Sequence, residues 1–476
     1  MIRKPLHRWC AVLLLALAGN AFPTHAADSL RYQLPPQAMI EMVDAPPIPQ
    51  TILSPNGEWL MLLERPALPS VAELALPDLR LAGVRINPRN SDQNRAGFAV
   101  AIKLVRVGDR QEKVVSNLHA GARIGDAQWS PDGKRIAFTV VRDTAVDLMV
   151  ADATNGASAR RVTERALNGV LGRPFAWSSD SRSLLANLVP ATRGPAPRAP
   201  QVPSGPLIQE NLGKRNAART YQDLLKSPHD EALFEHFATS ELANVALDGK
   251  LTPIATGMVR AFLPSPNGEY VLVQLIKRPF SYAVPLQRFP LRTEIRDARD
   301  VDAGKVLKVL SDLGLAEDEE LDPDAVRKGP RQYAWRGDAP ATISWLTPIE
   351  GRRNGLGDTL QVLSEPFEGE GQPLFKSDLR LQQVFWGRDD LAIVVEAQRK
   401  TRRVVTWRVF PNDASRAAVK LFDRSSEDRY GDPGAPVVES NARGGRVLNI
   451  SPDGRAIYLI GAGASAEGER PFIDRY

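Results

Sequence analysis

Cysteine is almost missing from this chain: Cys10 is the only one among 476 residues. A disulfide framework is therefore excluded, and any stable fold must rest on a buried core. Histidine is nearly as scarce. Of five, only His119, His229 and His236 lie beyond the first 26 residues, and none falls in a His-Glu-x-x-His pattern. There is no Gly-Lys-Ser/Thr phosphate loop and no Gly-x-Ser-x-Gly nucleophile elbow. The nearest lookalike, Gly463-Ala464-Ser465-Ala466-Glu467, lacks the final glycine. The acidic run Glu317-Asp318-Glu319-Glu320, with Asp322 and Asp324, lacks the spaced ligands and glycine of a calcium loop and reads as a solvated face. No catalytic residue, metal or cofactor is expected from these residues.

Long apolar runs are also missing, apart from one at the start. Arg3, Lys4 and Arg8 precede the run Cys10–Ala18, and Thr24-His25-Ala26 offers a small-residue cleavage point. This is the pattern of a signal peptide over residues 1–26, too short to span a membrane. Cys10 lies inside the run, so no lipid-attachment motif stands at the cleavage point. The expectation is an exported protein, periplasmic or extracellular, with a mature chain of residues 27–476 free of the membrane. Three positive charges leave with the leader, and the formal +5 becomes +2. A balance so near neutral gives no reason to expect a nucleic-acid partner.

What the chain has in abundance is one repeated turn motif. Trp129-Ser130-Pro131-Asp132-Gly133 reads as a strand end and tight turn, and Ile136, Phe138 and Val140 then alternate as in a half-buried strand. Related copies place turns at Gly57, Gly133, Ser181, Gly268, Gly337, Asp389 and Gly454. The copies around Gly337 and Asp389 are degenerate. Between successive copies lies a second hairpin, for example Val100–Val107 returning through Val114-Val115. Two hairpins make a four-stranded unit, and seven units of roughly 40–50 residues read as an all-β, seven-bladed β-propeller. The seventh has room only for the start of a third strand, Pro471–Tyr476, so the last blade is expected to be incomplete.

Strand alternation puts the motif turns on one face and the long connections on the other. These are Glu64 to Gly97, Val189 to Ser240 and Lys277 to Arg292, with further long links at 311–331 and 423–445. Short helices are expected around Val71–Leu76 and after Ser227-Pro228-His229-Asp230, where Leu233, Phe234 and Phe237 form an apolar stripe. Pro190–Pro206 reads as extended linker. In the third insertion Arg278, Arg288 and Arg292 are interleaved with Phe280, Tyr282 and Phe289. Arginines suit two-pronged capture of a carboxylate, which makes these three candidate substrate-binding residues; the other reading is that they pair on the ring surface.

Several segments resemble a known family: Tyr32-Gln33-Leu34-Pro35-Pro36, Val43-Asp44-Ala45-Pro46-Pro47, Leu79-Arg80-Leu81-Ala82-Gly83, Thr220-Tyr221-Gln222-Asp223-Leu224-Leu225, Arg278-Pro279-Phe280-Ser281 and Phe422-Asp423-Arg424-Ser425-Ser426-Glu427-Asp428. They are similar to the N-terminal part of glutamyl endopeptidase-like enzymes, a branch of the prolyl oligopeptidase family of serine peptidases. The resemblance implies a propeller that gates peptide substrates for a C-terminal α/β-hydrolase domain carrying a Ser, Asp and His triad. No residue here matches that triad, so this chain alone is expected to be inactive and to have the hydrolase domain and a peptide as partners. A second reading is a non-enzymatic binding propeller resembling TolB-type scaffolds, which share the Ser-Pro-Asp-Gly turns.

Overall fold

A computed structural model describes residues 34–201, 220–299, 302–317, 322–351, 355–388, 390–413 and 415–476. The expected leader (residues 1–26), residues 202–206 of the expected linker, residues 318–320 of the acidic run and the expected turn position Asp389 lie outside them. The chain divides into two compact units, 1–45 and 46–476. The described part of the first holds one helix, α1 (Gln37–Asp44), with no buried residue.

The second unit is built on the repeated turns, and their chemistry explains their residues. At the second copy the Ser130 hydroxyl accepts the Arg135 N–H (2.9 Å) and donates to Asp132 Oδ1 (2.5 Å). Gly133 N–H closes the turn on the Ser130 carbonyl, and φ of +70° there favours glycine. Ser54 with Asn56, Ser265 with Asn267 and Ser451 with Asp453 repeat the arrangement. A hydroxyl is required because the same atom must both donate and accept.

Six four-stranded antiparallel blades follow in chain order. Blade one comprises Gln50–Leu53, Trp59–Glu64, Ala101–Arg106 and Glu112–Val114. Blade two comprises Arg123–Trp129, Arg135–Val141, Val146–Asp152 and Ala159–Arg161. Blades three and four share a seven-stranded sheet, because the 14-residue strand Leu251–Pro264 serves both. Its first half pairs with Ser240–Ala246 and its second with Tyr270–Ile276. Gly257, at φ +145°, stands where it passes from one to the other. Phe175–Trp177 and Ser183–Leu188 complete blade three; Leu291–Asp297 and Val306–Leu313 complete blade four. Blade five runs from Arg331–Trp335 to Gln372–Lys376 and blade six from Arg380–Arg388 to Val419–Ser425. The seventh has three strands among the described residues, Ala435–Pro436, Tyr458–Gly461 and Phe472–Arg475.

Contacts between successive motif turns set the blades in ring order. A Cβ at Gly133 would stand 2.5 Å from Asn56 Oδ1, and Asp132 N–H donates to Ser181 Oγ (3.0 Å). Gly268 packs on Ser179, and Asn267 N–H donates to the Pro340 carbonyl (2.9 Å). The Arg336 guanidinium covers the Trp386 ring at 4.7 Å, and Arg388 Nη2 donates to the Gly454 carbonyl (2.9 Å). Trp129, Trp177 and Trp335 each pass their indole N–H to an inner-strand carbonyl of the preceding blade, at Ile52, Gln128 and Leu263. The core lies between blade faces. Trp59, Met61, Ile102 and Leu104 of blade one meet Ile124, Ile136 and Phe138 of blade two, and comparable layers follow round the ring. Sheets buried on both faces explain why strands such as Ser183–Leu188 are buried throughout rather than on alternate residues. The seven-bladed propeller expected from the repeated turns is the architecture observed.

Candidate functional site

The three long insertions do not hang separately from the ring. They share a single core of Leu81, Ala82, Ile86, Leu225, Phe234, Phe237, Phe280, Val284, Leu286 and Phe289. The first contributes a short helix, α2 (Val71–Leu74), and a three-stranded sheet of Leu79–Leu81, Val84–Asn87 and Asp92–Gln93. The second contributes α3 (Pro228–Ala238), capped by the Ser227 hydroxyl as its sequence predicts. Phe234 is fully buried and meets Phe280 and Phe289 edge-on at 5.3 and 5.9 Å. Backbone bonds knit the insertions together: Gly83 N–H to the Asp223 carbonyl (2.8 Å) and Leu286 N–H to the Ala82 carbonyl (2.9 Å). A Cβ at Gly83 would stand 2.7 Å from the Pro285 Cβ, so this crossing needs the bare backbone. The result is a platform over the insertion face of blades three and four.

The three sequence-predicted arginines all lie on this platform or at its root, each with protein partners. Arg278 grips α3, with Nη1 on Glu231 (2.6 Å) and Nη2 on Glu235 (2.8 Å), and covers the Phe280 ring at 4.5 Å. Those two carboxylates raise its pKa. Arg288 lies over the Tyr221 ring at 5.8 Å. Arg292, on the third strand of blade four, bonds buried Glu294 (2.8 Å). Beside Arg278, burial and the hydrogen bond to Glu231 push the Tyr282 phenol up to about 12, so it stays a neutral donor. Burial and the charge of Arg193 push His236 below the usual imidazole value.

Two features were not expected. Arginines recur at the start of the inner strands, at 123, 173, 260, 331 and 380. Three are built into the wall: Arg123 bonds Asp143 (2.8 Å), and Arg331 and Arg380 share buried Asp358 (2.7 and 3.1 Å). Arg173 and Arg260 have no such carboxylate among the described residues. An arginine six to ten residues before five of the seven motif turns was the signal available in the sequence. The second feature is a hairpin, Val438–Ser440 with Arg446–Leu448, where an irregular link is expected. Its tip reaches blades on opposite sides of the ring. Asn441 Nδ2 donates to the Gly337 carbonyl of blade five (2.7 Å), while a Cβ at Gly444 would stand 3.0 Å from the Pro131 ring of blade two. The hairpin therefore bars the end of the ring that carries the motif turns. Among the described residues no helix is long and apolar enough to cross a membrane.

No family model matches the chain. Two curated relatives do: the probable chloroplastic glutamyl endopeptidase of Oryza sativa subsp. japonica, 37% identical over 94% of this chain and 49% of its own length, and that of Arabidopsis thaliana, 35% identical over 94% and 48%. The chain thus spans about half the length of the curated relatives it matches. Among solved structures, prolyl oligopeptidase B from Galerina marginata is 9% identical, covers 91% of this chain and 51% of its own, and has a TM-score of 0.44. Over nearly its whole length, then, this chain is a relative of the glutamyl endopeptidases, matching about half of theirs.

Proposed function

We propose that this chain is the substrate-gating propeller of an exported serine peptidase that cleaves peptides after glutamate. On this reading the hydrolase domain that carries the nucleophile would lie in a part of the longer protein corresponding to the unmatched half of the relatives. The observation that supports the reading is where the resembling segments meet. Leu79–Gly83, Thr220–Leu225 and Arg278–Ser281 come from three separate insertions, yet Leu81, Ala82, Leu225 and Phe280 pack in one core. A ring that only needed to fold has no need of such a platform; a ring that presents a peptide to a neighbouring domain does. On this reading the bar across the opposite end directs peptides to the insertion face. On the same reading Arg278, Arg288 and Arg292 lie at that entrance, two of them already paired with Glu231, Glu235 and Glu294. Arg278 acts there by holding α3 in place, and Arg288 is the candidate for contact with substrate.

The test compares this chain alone with the same chain joined to the segment encoded downstream. The expected result is no hydrolysis of Glu-containing peptides and no labelling by a fluorophosphonate probe for the chain alone. Both should appear in the longer protein, with cleavage confined to short or unfolded peptides. A downstream stop with no serine-hydrolase segment nearby would overturn the reading in favour of a binding propeller. Labelling of the chain alone would overturn the division of labour.

A further inference from the structure

Arg260 stands apart from the other charged groups on the inner wall. It occupies a bulge in the inner strand of blade four: Val259 pairs with Leu275 and Ala261 with Gln274, leaving Arg260 unmatched. A bulge of this kind re-aims a side chain away from the sheet's regular faces. The side chain is half-buried and has no hydrogen-bond or ion-pair partner among the described residues. Arg173, which closely precedes the inner strand of blade three, is exposed and likewise without a partner there.

One residue tethers the two positions. Asn187 donates its backbone N–H to the Pro174 carbonyl (2.8 Å) and its Nδ2 to the Val259 carbonyl (3.4 Å). These carbonyls belong to the residue after Arg173 and the residue before Arg260. A Cβ at Gly172 would lie 3.7 Å from the Arg260 carbonyl, so the two backbones run side by side. Asn187 is itself 5% exposed, in a strand buried throughout, which fixes the spacing.

A guanidinium recessed in protein without a carboxylate is costly unless something compensates it. Burial lowers the pKa of Arg260, with no neighbouring acid to offset the effect. Elsewhere on the wall the compensation is internal, as with Asp143 and Asp358. Here the partner must come from solution, and the fork geometry of a guanidinium matches a carboxylate.

We propose that Arg260, with Arg173 on the adjacent blade, forms a carboxylate-binding point on the inner wall of the ring and gives the propeller a preference for acidic peptides. The proposal rests on the reading of the chain as a peptide-gating propeller. It differs from the platform arginines in place, since Arg278 and Arg292 already hold Glu231, Glu235 and Glu294.

The test is equilibrium binding of two fluorescein-labelled peptides to the full chain, followed by anisotropy. One is a short, unstructured peptide with several glutamates; the other has each glutamate replaced by glutamine. The wild type is expected to bind the glutamate peptide about tenfold more tightly, an advantage that falls with added salt. Arg260→Gln should reduce it to the glutamine level and leave the glutamine peptide unaffected, while Arg260→Lys keeps part of the preference. Thermal melts report whether the variants fold; if Arg260→Gln does not, the exposed Arg173→Gln carries the test, with a smaller loss expected. Equal affinity of the wild type for the two peptides, or a preference undiminished in Arg260→Gln, overturns the proposal and leaves the gating reading standing. Failure to bind either peptide overturns both.

Discussion

At the scale of single residues, the tryptophans before the motif turns show how a repeat becomes a ring. Trp129 is nearly buried, and its Nε1–H donates to the Ile52 carbonyl of the blade before it (3.1 Å). Apolar packing alone would let adjacent blades slide; a directed hydrogen bond at a fixed point does not. Trp129→Phe keeps most of the packing and removes that directed bond, while the Ile52 carbonyl keeps its ladder partner Met61, at an expected cost of about 0.5–1.5 kcal/mol in urea unfolding. Asp453 makes a different statement. The Ser451 hydroxyl, the Arg475 guanidinium and the Arg455 N–H hold its carboxyl down at about 2. An unfolded aspartate titrates near ~3.9. With the folded value depressed, the stabilisation is present above ~4 and is lost as pH falls towards 2. The seventh copy of the turn and the strand holding Arg475 should therefore loosen across that window. Amide exchange over residues 451–458 and 472–476 should speed up there in the wild type, and Asp453→Asn should already be fast at neutral pH.

At the scale of elements, the platform and the bar differ in how far they were legible. The helix α3 was readable because its cap, its first-turn acid and its apolar stripe are local signals in Ser227-Pro228-His229-Asp230 and Leu233, Phe234 and Phe237. That it joins Phe280 and Phe289 was not, because the contact crosses from one insertion to another and depends on how three of them fold back together. Phe234→Ala should cost about 3–5 kcal/mol, the range for emptying a closed aromatic site, and thermal melting would detect it. The arginines were legible as charges and illegible as partners, since Glu231 and Glu235 face Arg278 only once α3 has docked. The hairpin at 438–448 left almost no pattern. Its anchor is a backbone approach: a Cβ at Gly337 would stand 2.4 Å from the Arg446 carbonyl. Gly337→Ala should lift the bar without disturbing the blades. Amide exchange within 438–448 is expected to rise at least tenfold in that variant, with blades one to four unchanged. Unchanged exchange would mean that the hairpin is held chiefly by Asn441 and Leu448.

At the scale of the molecule, the ring is unevenly closed. Blades three and four are one continuous sheet through Leu251–Pro264, whereas the seventh blade has three short strands among the described residues. Between it and blade six lies an apolar cleft of about 370 Å³ that includes Phe385, Ile393, Leu421 and Leu459. Among the described residues the strand Phe472–Arg475 pairs on one side only, with Tyr458–Gly461, and Ile473 on it is 67% exposed. An open strand edge with exposed apolar side chains is a template for pairing with another chain. This chain by itself should associate through that edge, so sedimentation velocity should show mass rising with concentration in the tens of micromolar. Ile473→Lys places a charge on the edge and should return the chain to a monomer with unchanged melting of the other blades. A fully monomeric wild type over that range would mean that Arg475, paired to Asp453 across the sheet, and the other charges of the edge already protect it. The same edge then bears on the gating reading: if a further strand of the longer protein completes this blade, adding it should abolish association as effectively as the lysine does.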